Sequence, residues 1–153
     1  MQPEIRQGKY TISTDPSRLN LDVIHAFLTE SYWARGISRE VVERSIRGSI
    51  CFGVYDGDAQ AGFARVITDR ATFAYLADVF ILESHRGRGL SKFLMKTILH
   101  DPELQGLRLW CLLTRDTHGL YSQFGFKVSE NPQNYMEIRR QDNDQTSGSA
   151  GRD

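Results

Sequence analysis

Hydrophobic and polar positions change period several times along this chain, and the changes mark its elements. Lys9-Tyr10-Thr11-Ile12-Ser13-Thr14 alternates as a half-buried strand does, and Asp15-Pro16-Ser17 then supplies turn and helix-start chemistry. Leu21, Ile24, His25 and Leu28 recur at helical spacing, with Val23 and Phe27 widening the stripe, which predicts a helix up to about Tyr32-Trp33. Gly36 interrupts it, and Ser38 with Glu40 and Glu43 opens a short second helix running to about Arg47. Ile50 to Tyr55 and Gln60 to Thr68 are β-rich runs around Asp56-Gly57-Asp58, a hairpin signal, and a turn at Asp69-Arg70 leads into a third run from Thr72 to Leu82. Leu90, Phe93, Leu94, Thr97 and Ile98 return to helical spacing until Asp101-Pro102. A short apolar strand is predicted over 108–113, a short helix over 116–123, and closing strands at 126–128 and 135–139.

The order β, α, α, β, β, β, α, β, α, β, β predicts a mixed α/β fold. About four helices flank a largely antiparallel sheet of six to seven strands, with one parallel pair made by a βαβ crossover. Residues 1–140 read as one domain. The polar segment 141–153 has almost no apolar side chain to offset its ordering entropy and is expected to be a disordered tail.

The break between the third β run and the following helix carries the chemistry. Asp78-Val79-Phe80-Ile81-Leu82 gives way to Glu83-Ser84-His85-Arg86-Gly87-Arg88-Gly89 before helical periodicity begins at Leu90-Ser91. Amides in a glycine-rich turn at a helix start lack intrahelical partners and sit at the positive end of the macrodipole, so they suit phosphate oxygens. Two common phosphate loops are excluded by spacing. Lys92 stands where a dinucleotide fingerprint needs its third glycine, and no Gly-Lys-Ser/Thr follows at Walker spacing.

Composition narrows the partners. Nineteen basic against nineteen acidic residues leave no net field for nucleic acid or a membrane surface. No apolar run approaches the roughly 18 residues of a membrane span, and a cytoplasmic location is expected. Cys51 and Cys111 each lie in an apolar strand-like run and read as buried free thiols. His25 sits on the apolar stripe of the first helix as a hydrogen-bonded boundary residue. The other histidines are scattered, and no metal site is expected.

Arg86-Gly87-Arg88-Gly89-Leu90-Ser91 resembles the Arg/Gln-x-x-Gly-x-Gly/Ala loop with which GNAT acyltransferases wrap the pyrophosphate of acetyl-CoA. Leu120-Tyr121-Ser122-Gln123-Phe124-Gly125-Phe126 is similar to the Tyr-x-x-x-Gly-Phe that closes the fourth helix in that family. The resemblance covers about residues 10–140 and implies an N-acetyltransferase that passes an acetyl group from acetyl-CoA directly to a primary amine in a ternary complex. It implies that Val79, Phe80 and Ile81 pair through their backbone with the pantetheine arm and that Tyr121 is the general acid toward the leaving thiolate. Thr114 stands where many members place an Asn against the cofactor arm. Tyr32, Trp33 and Arg35 fall in the segment that covers the acceptor in the family. An alkyl ammonium has no lone pair, so something must take its proton. Asp78, in an otherwise apolar run, is the candidate base or ammonium-binding group, with Glu83 a second and an ion pair with Arg65 the structural alternative. A small-molecule or peptide amine is the expected acceptor, and a monomer or homodimer the expected assembly. A different class of function, a CoA-sensing module with no acceptor of its own, fits the same loop.

Overall fold

The computed structural model describes residues 4–140. Its sheet has six strands in sequence order: β1 (Ile5–Gln7), β2 (Tyr10–Ser13), β3 (Ile50–Asp56), β4 (Ala59–Thr68), β5 (Phe73–Ile81) and β6 (Leu109–Leu112). All neighbours are antiparallel except β5 and β6, which run parallel because α3 (Leu90–Leu99) carries the chain back between them. Helices α1 (Leu21–Glu30) and α2 (Arg39–Arg47) lie between β2 and β3, and the short α4 (His118–Ser122) follows β6. Local chemistry sets the helix starts: Asn20 accepts from the Val23 amide at the head of α1, and Ser38 accepts from the Val41 amide at the head of α2.

The sheet buries both faces. Ile24 and Leu28 of α1 and Val42 of α2 pack with Cys51, Phe63 and Phe80 on one side. Leu90, Phe93, Leu94, Met95 and Ile98 of α3 pack with Phe52, Val66, Ala74, Leu76 and Ile81 on the other. Residues 74 and 76 face α3 as even positions, whereas Val79 and Ile81 face it as odd ones. One extra residue resets the alternation. Phe63 pairs with Phe80 and Arg65 with Ala77, so Ala64 alone opposes Asp78 and Val79 in a β-bulge. Asp78 takes the left-handed conformation there, φ 56°.

The expectations for α1–α3 and β2–β6 agree with these elements to within a few residues. Strand β1 was not anticipated, since its three residues are all exposed and show no alternation in burial. The two closing strands are corrected. Residues 126–128 and 135–139 carry no strand pairing, and only a 3-10 turn, Pro132–Asn134, interrupts the segment. Phe126 packs against the α3-side core, but Val128 is 71%, Met136 90% and Ile138 82% exposed, and alternation without a paired, half-buried surface does not make a strand. The tail expected at 141–153 lies outside the described residues. Among the described residues no helix is long and apolar enough to cross a membrane.

Tyr55 exposes a cost inside the sheet. Its ring lies over Gly53, where an added Cβ would meet the phenol oxygen at 2.2 Å, and its hydroxyl is buried without a hydrogen-bond partner among the described residues. Tyr55→Phe is therefore expected to stabilise the fold by about 1 kcal/mol, and Gly53→Ala to destabilise it by about 1–3 kcal/mol. Urea titrations check both, and unchanged midpoints would refute the packing argument. A second prediction concerns alkali. Burial pushes the Cys51 thiol up to about 12 from 9.0, against a smaller opposing pull from the Arg65 guanidinium, and pushes the Tyr55 phenol up to about 12 from 10.0. Raised folded values mean that the stability from keeping both groups neutral is complete below about pH 9 and is lost as pH rises towards 12. Melting temperature should fall across that window, and less steeply for Tyr55→Phe than for the unmodified chain.

Candidate active site

A cleft of about 1340 Å³ opens where β5 and β6 part. Their pairing runs from Phe73 with Leu109 to Leu76 with Leu112 and stops, while β5 continues to Ile81. From Ala77 onward the β6 side of β5 therefore has no strand beside it among the described residues. The chain then makes a 3-10 turn at Glu83–His85 and enters the glycine loop. Gly87 and Gly89 both have positive φ, 78° and 76°, and an added Cβ at either would meet nothing within 4 Å. Gly89 is the N-cap of α3 and offers no side chain, and the first helical hydrogen bond is donated by the Phe93 amide to the Gly89 carbonyl. The amides of Leu90, Ser91 and Lys92 are thus left without helical or side-chain acceptors among the described residues. Arg86 braces the loop, its Nε donating to the Ile81 carbonyl at 3.0 Å, and Arg88 is exposed.

The structure divides the anticipated residues into two groups. Tyr32, Trp33, Arg35, Asp78, Val79, Thr114 and Tyr121 line the cleft together. Phe80 and Ile81 do not, because their side chains are buried in the two cores at 5% and 6% exposure; only their backbone can meet a ligand. Leu90 likewise has a buried side chain and can offer a ligand only its backbone. Arg86 to Ser91 lie beyond the cleft wall, at the head of α3.

Asp78 is held by two donors. Arg65 Nε reaches its Oδ2 at 2.9 Å, and Trp33 Nε1 reaches its Oδ1 at 2.9 Å. Arg65 is held in turn by Ser49, its Nη1 donating to Oγ at 3.0 Å. The ion pair with Arg65, the structural alternative for Asp78, is therefore present, and it leaves lone pairs on both carboxylate oxygens. Glu83 is exposed in the turn.

An aromatic series joins the core to the cleft. Phe80 stacks on Phe27 at 4.0 Å, Phe27 is tilted against Trp33 at 6.2 Å, and Trp33 stands edge-on to Tyr32 at 5.1 Å. The Arg115 guanidinium closes it, 3.8 Å from the centre of the Tyr32 ring, and the Arg115 amide donates to the Tyr32 hydroxyl at 3.1 Å. Sequence reasoning missed Arg115, because 83 residues separate it from Tyr32 and no local pattern marks it. Tyr121 sits on α4, edge-on to Phe126 at 6.0 Å. Burial, with a smaller contribution from the Tyr32 phenol, pushes its hydroxyl up to about 12.

Neither cysteine is placed as a nucleophile. Cys51 is buried against α2, with its thiol pushed up to about 12, while Cys111 is only half-buried, a correction to the expected burial. Both are free. His25 bonds the Ile37 carbonyl through Nε2 at 3.0 Å, as a boundary residue. Among the described residues no three His, Cys, Asp or Glu side chains converge as metal ligands.

Comparison with known proteins gives the same outline. Residues 47–128 match the family model of the acetyltransferase (GNAT) domain. A Gibberella zeae protein named as an acetyltransferase is 34% identical over 140 residues, covering 76% of this chain and 78% of its own length. A crystal structure from Xanthomonas campestris, described as belonging to the GNAT family, superposes with a TM-score of 0.85 at 46% identity, covering 88% of this chain and 96% of the other. An Elizabethkingia anophelis GNAT acetyltransferase, whose structure has acetyl-CoA bound, shares the fold at TM-score 0.63 and 13% identity over 88% of this chain and 91% of its own. With the parted strands and the glycine loop in place, these matches show that the chain belongs to the GNAT family of acetyltransferases.

Proposed function

We propose that the protein is an N-acetyltransferase that transfers the acetyl group of acetyl-CoA directly to a primary amine bound in the cleft. The observation that carries this reading is the parting of β5 from β6 after Leu76 beside the uncapped head of α3. It sets an open strand edge next to open amides, as an extended arm ending in a pyrophosphate requires. Two relatives of this fold, from Clostridium acetobutylicum and Elizabethkingia anophelis, are solved with acetyl-CoA.

The backbone of Val79 to Ile81 would receive the pantetheine arm by strand-like pairing. The amides of Leu90 and Ser91, with Arg86, Gly87, Arg88 and Gly89, would hold the pyrophosphate. Thr114, lining the cleft beyond the end of β6, would face the arm from the other side. The bound thioester supplies an activated carbonyl and a thiolate leaving group. Asp78, oriented by Arg65 and Trp33, keeps acceptor capacity for a third donor, the ammonium of the amine. Once deprotonated, the nitrogen attacks the carbonyl; a C–N bond forms and the C–S bond breaks. Tyr121 donates its proton to the departing sulfur and regains one from the nitrogen, so that one further proton leaves to solvent overall. Orientation supplies most of the rate, since no covalent acyl-enzyme is needed and Cys51 is buried with its thiol neutral.

Titrating acetyl-CoA calorimetrically into the wild type and an Arg86→Ala, Arg88→Ala double variant tests the first half. Saturable binding weakened about tenfold or more in the variant is expected, given that charge-assisted contacts contribute about 1.5–3 kcal/mol each. Absence of binding to the wild type would remove the acetyltransferase reading.

Tyr121→Phe tests the second half. Turnover should fall by about 100-fold with acetyl-CoA affinity intact, and unaltered turnover would take Tyr121 out of the mechanism. Because burial holds its phenol up to about 12, the wild-type rate should climb through the acceptor's own titration, about 8 for an α-amine to about 10 for an alkyl amine. No fall from loss of the Tyr121 proton should appear before about pH 11.

A further inference from the structure

The cleft holds more arginines than carboxylates, and two of its carboxylates are already matched. Asp78 is paired with Arg65 at 2.9 Å and Glu137 with Arg139 at 3.1 Å. Arg44, Arg115 and Arg140 line the same cleft with no carboxylate partner among the described residues, against two carboxylates, Glu40 and Asp116, that have no arginine partner there. An acceptor that enters as a bare cation would meet this surplus of like charge.

Arg115 is the arginine whose posture is fixed. Its guanidinium carbon sits over the Tyr32 ring, 3.8 Å from the centre, and its own amide donates to the Tyr32 hydroxyl. A guanidinium that meets a ring through its face keeps its in-plane N–H donors for other acceptors. A carboxylate, itself planar, takes two such donors side by side. Tyr32 stands edge-on to Trp33, whose indole N–H bonds Asp78. One aromatic step therefore has an anion receptor at one end and a carboxylate with spare lone pairs at the other.

We propose that the acceptor is a small amine that also carries a carboxylate, an α-amino acid or a short aminoalkyl acid. Asp78 takes its ammonium end and Arg115 its carboxylate. This rests on the acetyltransferase reading above and adds the substrate class to it.

The test measures thiol release from acetyl-CoA with the common α-amino acids, β-alanine and 4-aminobutyrate, each beside its own carboxamide, and with propylamine, spermidine and phosphoethanolamine. In the best-used pair the acid should exceed its amide in kcat/KM by about tenfold or more. Arg115→Ala should bring that ratio close to one, and Arg115→Lys should restore part of it, a pattern that a merely structural role of Arg115 would not produce. An amide used as well as its acid, a preference for propylamine, spermidine or phosphoethanolamine, or no turnover of any acid by a protein that binds acetyl-CoA would each overturn the proposal while leaving cofactor binding standing. Failure to bind acetyl-CoA at all would instead take down the acetyltransferase reading and this proposal with it.

Discussion

The architecture turns on one inserted residue in β5. A strand that alternates without interruption cannot place Ala74 and Leu76 against α3 and then Val79 and Ile81 against it as well. The bulge opposite Ala64 makes both placements possible and sends Phe80 to the α1–α2 side, where it stacks on Phe27. The left-handed backbone at Asp78 costs on the order of 1 kcal/mol for a residue with a Cβ. Arg65 and Trp33, which grip both oxygens of that residue's side chain, offset the strain. The same side chain thus fixes the kink of the strand and faces the cleft that the kink helps to open.

From that kink the two halves of the site follow by different routes. The glycine loop is reached by continuing along the chain, because β5 ends, a single turn intervenes and α3 begins with its amides exposed. The proposed acceptor side is reached across the sheet and through the aromatic series, where Phe27, Trp33 and Tyr32 from the first helix and its exit meet Arg115 from beyond β6. One half is assembled by neighbours in sequence, the other by contacts spanning the domain.

That difference explains what was legible beforehand. Helical stripes and strand runs from Tyr10 to Leu112 announce themselves by period, and the Arg86 to Ser91 loop by its glycines and arginines, since each is a local pattern. The bulge is not local: nothing in Ala77-Asp78-Val79 distinguishes a left-handed Asp from one on a regular strand until β4 is laid beside it. Asp78 stood out only as a charge in an apolar run, which left base, ammonium holder and partner of Arg65 all open; the geometry shows the pair and leaves room for a further donor. Phe126 to Val128 and Tyr135 to Arg139 failed in the opposite direction. Their alternation is strand-like, but a strand needs a neighbour to pair with, and alternation alone supplies none.

The extent of the family match bears on where specificity is encoded. Residues 47–128 contain the kinked strand, the glycine loop, Thr114 and Tyr121, the residues proposed to hold the thioester and protonate its sulfur. They omit Tyr32, Trp33 and Arg35 altogether. Arg115 lies inside the matched span, yet what fixes its guanidinium is the Tyr32 ring outside it. On the proposed reading, chains that share this span would differ in acceptor through the α1–α2 connection, since changing one aromatic residue there would free or fix a cation contributed by the matched half of the fold.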